Sequence, residues 1–98
     1  MNFTEFEPAK YLSDEETIAF YLSDALENGS EEEFILALKN VARARGMTQL
    51  AKDTGLARES LYKTLSGNTK PRFGTISKIA NALGLSLAFT PKISHRTI

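Results

Sequence analysis

MTQLAKDTGLARESLYKTLS, residues 47–66, is the stretch that decides the fold of this 98-residue chain. It contains the spacing Leu-Ala-x-x-x-Gly-Leu-x-x-x-x-Leu, from Leu50 to Leu61. Thr48 is a suitable cap for a short helix that runs to Thr54. Gly55, four residues after Ala51, tolerates the positive φ that a tight turn requires. Residues 58–66 then form a second short helix with Leu61 and Leu65 inward. Where two helices cross closely, the contact needs a small residue, and Ala51 supplies it. Leu50, Leu56 and Leu61 seal the pair. The pattern reads as a helix-turn-helix, against the competing reading of an ordinary helical hairpin.

Upstream, residues 1–12 read as an extended arm carrying Phe3, Phe6, Tyr11 and Leu12. Ser13 with Glu16, and Ser30 with Glu33, are capping boxes that start two helices. The first places Ile18, Tyr21, Leu22 and Ala25 on its apolar face and stops at Asn28-Gly29. The second buries Phe34, Leu38, Val41 and Ala42 and ends at Gly46. Glu31, Glu32 and Glu33 suit its positive end, and Arg43 and Arg45 suit its negative one. Downstream, Gly67, Asn68 and Pro71 mark a loop. Thr75 is expected to cap a last helix, with Ile76, Ile79, Ala80 and Leu83 inward and Gly84 as its stop. Residues 85–89 alternate as a short strand does, and Pro91 ends it. The expectation is an all-α fold of five helices with an N-terminal arm and a short C-terminal strand. It forms one domain: an acidic arm and first helix over 1–34, a basic core and strand over 35–91, and a tail over 92–98.

Composition narrows the chemistry. Apolar residues make up 42% of the chain, enough for a packed core. Without cysteine there are no disulfides or thiolate metal sites. The single histidine, His95, lies in the expected tail. No Gly-rich phosphate loop is present, so no catalytic residue, metal or cofactor is expected. No apolar run is long enough to span a membrane and no signal-peptide pattern is present, so the expected location is the cytoplasm. The net charge is zero, but it is unevenly spread. Residues 1–34 hold ten acids and one base, net −9; residues 35–98 hold eleven bases and two acids, net +9. The basic part suits nucleic acid and the acidic part has another task. The alternative is that the two simply neutralise each other in the fold.

In a helix-turn-helix the second helix enters the major groove of double-stranded DNA by its N-terminal half. Its outward residues here are Ala57, Arg58, Glu59, Ser60, Tyr62 and Lys63. Arg58 is suited to two hydrogen bonds with a guanine edge, and Glu59 to accepting from a cytosine amino group. Tyr62 and Lys63, one turn on, reach bases or phosphates. Thr48 and Gln49 open the preceding helix, where free backbone amides suit a phosphate. Ser66, Asn68, Thr69, Lys70 and Arg72 follow and are expected along the DNA backbone.

These residues carry a resemblance. The chain resembles the Xre/Cro-type, lambda-repressor-like helix-turn-helix family. More closely, over residues 3–90, it resembles the addiction module antidote proteins, the antitoxins of type II toxin–antitoxin operons. The matching residues are Tyr11-Leu12, Tyr21-Leu22-Ser23-Asp24-Ala25-Leu26 and Ala42-Arg43-Ala44-Arg45-Gly46-Met47. They continue with Thr54-Gly55-Leu56-Ala57-Arg58-Glu59-Ser60-Leu61-Tyr62-Lys63 and Ala82-Leu83-Gly84-Leu85. Ala57 departs from the usual Ser or Thr cap of the recognition helix, and Ser60 is positioned to compensate in part. The resemblance implies a protein that neutralises a small basic toxin of the RelE/ParE superfamily, encoded beside it, and represses its own operon. The acidic segment 1–34 suits such a toxin, since opposite fields orient association. A homodimer is expected, with Leu85, Leu87 and Phe89 of the strand at its interface. The alternative is a stand-alone phage-type or housekeeping repressor without a toxin.

Overall fold

Side-chain oxygens start the first two helices of the computed structural model, which describes residues 14–92. Helix α1 is Glu15–Asn28 and α2 is Glu31–Arg45. The expected arm, Ser13 and most of the tail lie outside the described residues. Asp14 caps α1, accepting from the Thr17 hydroxyl at 2.7 Å and the Thr17 amide at 3.2 Å. Before α2 the expected capping box is complete: Ser30 Oγ accepts from the Glu33 amide, and Glu33 Oε1 accepts from the Ser30 amide.

Helix α3 is Met47–Thr54, α4 is Arg58–Thr64 and α5 is Phe73–Ala82. Three expected caps are corrected: Asp14, not Ser13, holds the cap position of α1. Thr48 does not cap α3; Gly46, at φ 105°, holds the cap position without a side-chain bond. With Met47 buried in the first turn, the cap stands two residues earlier than expected and Thr48 is exposed. Thr75 does not cap α5 either. Arg72 stands there in extended conformation just after Pro71, and its carbonyl accepts from the Thr75 and Ile76 amides. The expected strand is also corrected: residues 85–89 form none, and the described residues contain no strand. A strand needs a neighbouring ladder, and the described residues offer no other extended segment to pair with.

Ile18, Leu38, Val41, Leu50, Leu61, Ile79 and Leu83 are almost wholly buried in one core drawn from all five helices and the turn after α5. Helix α1 packs on α2, and α3 packs on α2, α4 and α5, so α3 joins the parts of the fold. Ile35, Ala37 and Met47 extend the burial beyond the stripes expected from sequence. Two polar ties fix the helices' relation. Asn40 donates to the Tyr21 hydroxyl at 3.0 Å, linking α1 and α2. Arg45 donates to the carbonyls of Ala82 at 3.0 Å and Leu83 at 3.4 Å, setting a cation at the negative end of α5. Among the described residues no helix is long and apolar enough to cross a membrane.

Two measurements check this construction. In urea denaturation, Leu50→Ala should cost about 2–5 kcal/mol, as a buried leucine does. Gly55→Ala should cost about 1–2 kcal/mol, the penalty of a left-handed conformation for a residue with a Cβ; a larger cost for Gly55→Ala than for Leu50→Ala would contradict the packing. The Thr17 hydroxyl, and then its amide, hold the Asp14 carboxyl below its usual 3.8. A carboxyl lowered in the folded state stabilises above its unfolded pKa and loses that contribution as pH falls through the folded one. Thr17→Val should therefore move the Asp14 midpoint in an NMR titration up toward the usual value. An unmoved midpoint would contradict the cap.

Candidate nucleic-acid interface

The turn between α3 and α4 is built by two residues. Gly55 adopts φ 77° and ψ 8°, the left-handed conformation expected of it, and its amide donates to the Ala51 carbonyl at 2.9 Å. Thr54 was not legible as a turn residue. Its hydroxyl donates to the Leu50 carbonyl at 2.8 Å and accepts from the Leu56 amide at 3.1 Å, bridging the helix end to the turn. Ala57 precedes α4 in extended conformation. No side-chain hydrogen bond caps α4, so Ser60 does not replace the missing hydroxyl.

With Leu61 and Leu65 buried, the other side of α4 faces outward. The expected contact residues Thr48, Gln49, Ala57, Arg58, Glu59, Ser60, Tyr62, Lys63, Ser66, Asn68, Thr69 and Lys70 are all exposed. They come from three places: the first turn of α3, the outer face of α4 and the loop that follows. Arg58 and Tyr62, one turn apart, are already paired. The guanidinium donates to the Tyr62 hydroxyl at 3.2 Å and stands 5.6 Å from the ring centroid. A guanidinium restrained in this way has less rotamer freedom to lose on binding a ligand.

Several neighbours have structural partners too. Gln49 donates to Asp53 at 2.9 Å. The Ser66 hydroxyl donates to the Lys63 carbonyl at 2.8 Å and accepts from the Asn68 amide at 3.1 Å, shaping the loop after α4. Lys70 stands 3.8 Å from Glu31 in the acidic first turn of α2, both side chains mostly exposed. Any phosphate at Lys70 would compete with that carboxylate. Arg72 is exposed at the start of α5, whereas Arg45 is engaged by the end of α5 and does not join this face. The three residues expected at a dimer interface are not on one strand face. Leu85 is half-buried against the core, Leu87 is half-exposed and Phe89 is fully exposed. Among the described residues no group of three or more His, Cys, Asp or Glu could hold a metal ion.

Residues 2–91 match a family model described as "Probable addiction module antidote protein". An uncharacterized protein of Haemophilus influenzae (strain KW20 / Rd) is 44% identical over 81 residues, spanning 83% of this chain and 84% of its own length. No solved structure matches.

The contact between Glu31 and Lys70 has a measurable weight. A double-mutant cycle with Glu31→Gln and Lys70→Gln should give a coupling of about 0–1 kcal/mol, fading as salt is raised. A coupling above about 2 kcal/mol, insensitive to salt, would contradict an exposed pair.

Proposed function

The chain belongs to the addiction module antidote protein family, and from that premise we propose an antitoxin that also binds its own operator DNA. In this reading α3 and α4 are an Xre/Cro-type helix-turn-helix. Helix α4 lies in the major groove, and Thr48 and Gln49 meet a phosphate at the first turn of α3. Arg58 and Glu59 read bases, and Tyr62 and Lys63 reach bases or the adjacent backbone. Ser66, Asn68, Thr69 and Lys70 follow the backbone beyond. The observation that carries this half is the two-sidedness of α4: Leu61 is wholly buried while Arg58, Glu59, Tyr62 and Lys63 stand together in solvent.

The other half is neutralisation of a small basic toxin of the RelE/ParE type, with repression of the shared operon. Helix α1 supports it, carrying Glu15, Glu16, Asp24 and Glu27 and no lysine or arginine. One seven-residue recognition helix spans few base pairs, so two copies act together on a two-part operator. Leu85, Leu87 and Phe89 are the side chains proposed to meet the second copy, and of these Leu87 and Phe89 are exposed. The protein acts in the cytoplasm as a binding protein.

Binding to its own upstream DNA, compared with random DNA, tests the first half. Arg58→Ala should cost about 1–3 kcal/mol on the operator and relax specificity at one base pair. Lys70→Ala should weaken binding to all sequences alike and reduce the salt slope by about 1. If Arg58→Ala weakened operator and random DNA equally, its base-reading role would fall. Co-purification with the product of the adjacent gene tests the second half, and absence of any complex would sink it.

A further inference from the structure

Away from α3 and α4 the surface opens into an apolar groove of about 340 Å³, bounded by α1, the start of α2, α5 and residues 84–87. Leu22 and Leu38 of the core reach its lining, and Leu26 stands at its side 62% exposed. Glu15 and Glu16 are the only charged residues that line it. Glu15 lies against Gly84 so closely that a Cβ there would stand 2.9 Å from its carboxylate oxygen. None of the residues assigned above to DNA lines this groove.

We propose that this groove is where the basic partner protein docks, by an amphipathic helix that seats apolar side chains beside Leu26 and sets lysines or arginines on Glu15 and Glu16. The inference rests on the antitoxin reading and locates the contact within it. An apolar lining with an acidic edge suits helix-in-groove recognition, in which one apolar face of a helix is buried. Its apolar interior and charged edge also follow the anatomy of a protein interface. Charge selects among occupants. A second copy of this chain meeting itself here about a two-fold axis would bring Glu15 and Glu16 of both copies to one interface, without a single base from either α1. Like charges so placed oppose association, whereas a basic partner is drawn to them. The acids of α2 do not line the groove, and two of them are engaged elsewhere: Glu33 closes the capping box and Glu31 faces Lys70.

Calorimetric titration of the full chain with the purified basic protein encoded beside it is the test. Leu26→Gln should weaken binding about tenfold or more, the scale of an anchoring side chain. Glu16→Lys should weaken binding and flatten its salt dependence. Leu36→Gln, at a similarly exposed position outside the groove, should bind within about twofold of wild type. The Leu26→Gln chain alone should melt within about 4 °C of wild type and still bind DNA, as a surface change would. If wild type binds and Leu26→Gln binds as tightly, the groove assignment is overturned while the antitoxin reading stands. If wild type does not bind at all, the antitoxin reading fails and takes this one with it. A large drop in melting temperature would mean that the chain fills its own groove. Loss of self-association with partner binding intact would mean that a second copy fills it. Either result overturns the proposal.

Discussion

Leu50 and Leu61 are both wholly removed from water in one core, and the left-handed turn at Gly55 lets them be. They lie eleven positions apart in sequence, in two helices too short to persist alone in water. Their burial holds α3 and α4 in place. Because α3 also packs on α2 and α5, the same contact sets the position of α4 relative to the rest of the chain. The exposure of Arg58, Glu59, Tyr62 and Lys63 follows: once Leu61 and Leu65 are inward, those side chains have only solvent to face. The proposed DNA face is thus a consequence of core packing. Arg45, which lies in the basic half by sequence, is excluded from it because α5 needs a cation at its last carbonyls.

A net charge of zero conceals two surfaces of different chemistry. Folding sorts the acids. Asp14 and Glu33 are taken up by helix starts, and Glu31 by Lys70. Glu15 and Glu16 are left beside an apolar groove that shares no residue with the proposed DNA face. In the proposed reading, two partners of opposite charge, an anionic duplex and a basic protein, have separate places to bind.

Much of the fold was legible because its punctuation is local. The Ser30 and Glu33 box, and the glycines at 29, 46, 55 and 84, bound the helices by chemistry contained within a few residues. The buried stripes of α2 and α5 followed from helical spacing. Thr48 and Thr75 misled for a shared reason: a hydroxyl near a helix start is only one candidate for its cap. Burial of Met47 and the backbone set at Pro71 and Arg72 placed the starts elsewhere. The alternation at 85–89 resembles a strand, but a strand is made by its partner, and none stands beside it among the described residues. Thr54, Arg45 and the groove were hidden differently. Thr54 acts through a turn whose geometry had to be seen, Arg45 reaches carbonyls 37 and 38 residues away, and the groove joins the first described helix to the last.

The central claim is that the outer face of α3 and α4 is where DNA binds. Amide and side-chain NMR shifts of the labelled protein, followed while a duplex from its own promoter is added, examine it most directly. The account predicts that changes concentrate at Thr48, Gln49, Arg58, Glu59, Tyr62, Lys63 and the loop from Ser66 to Lys70, with Ser23 and Leu26 in the groove undisturbed. Changes centred on α1 and the groove, with the face of α4 silent, would contradict it.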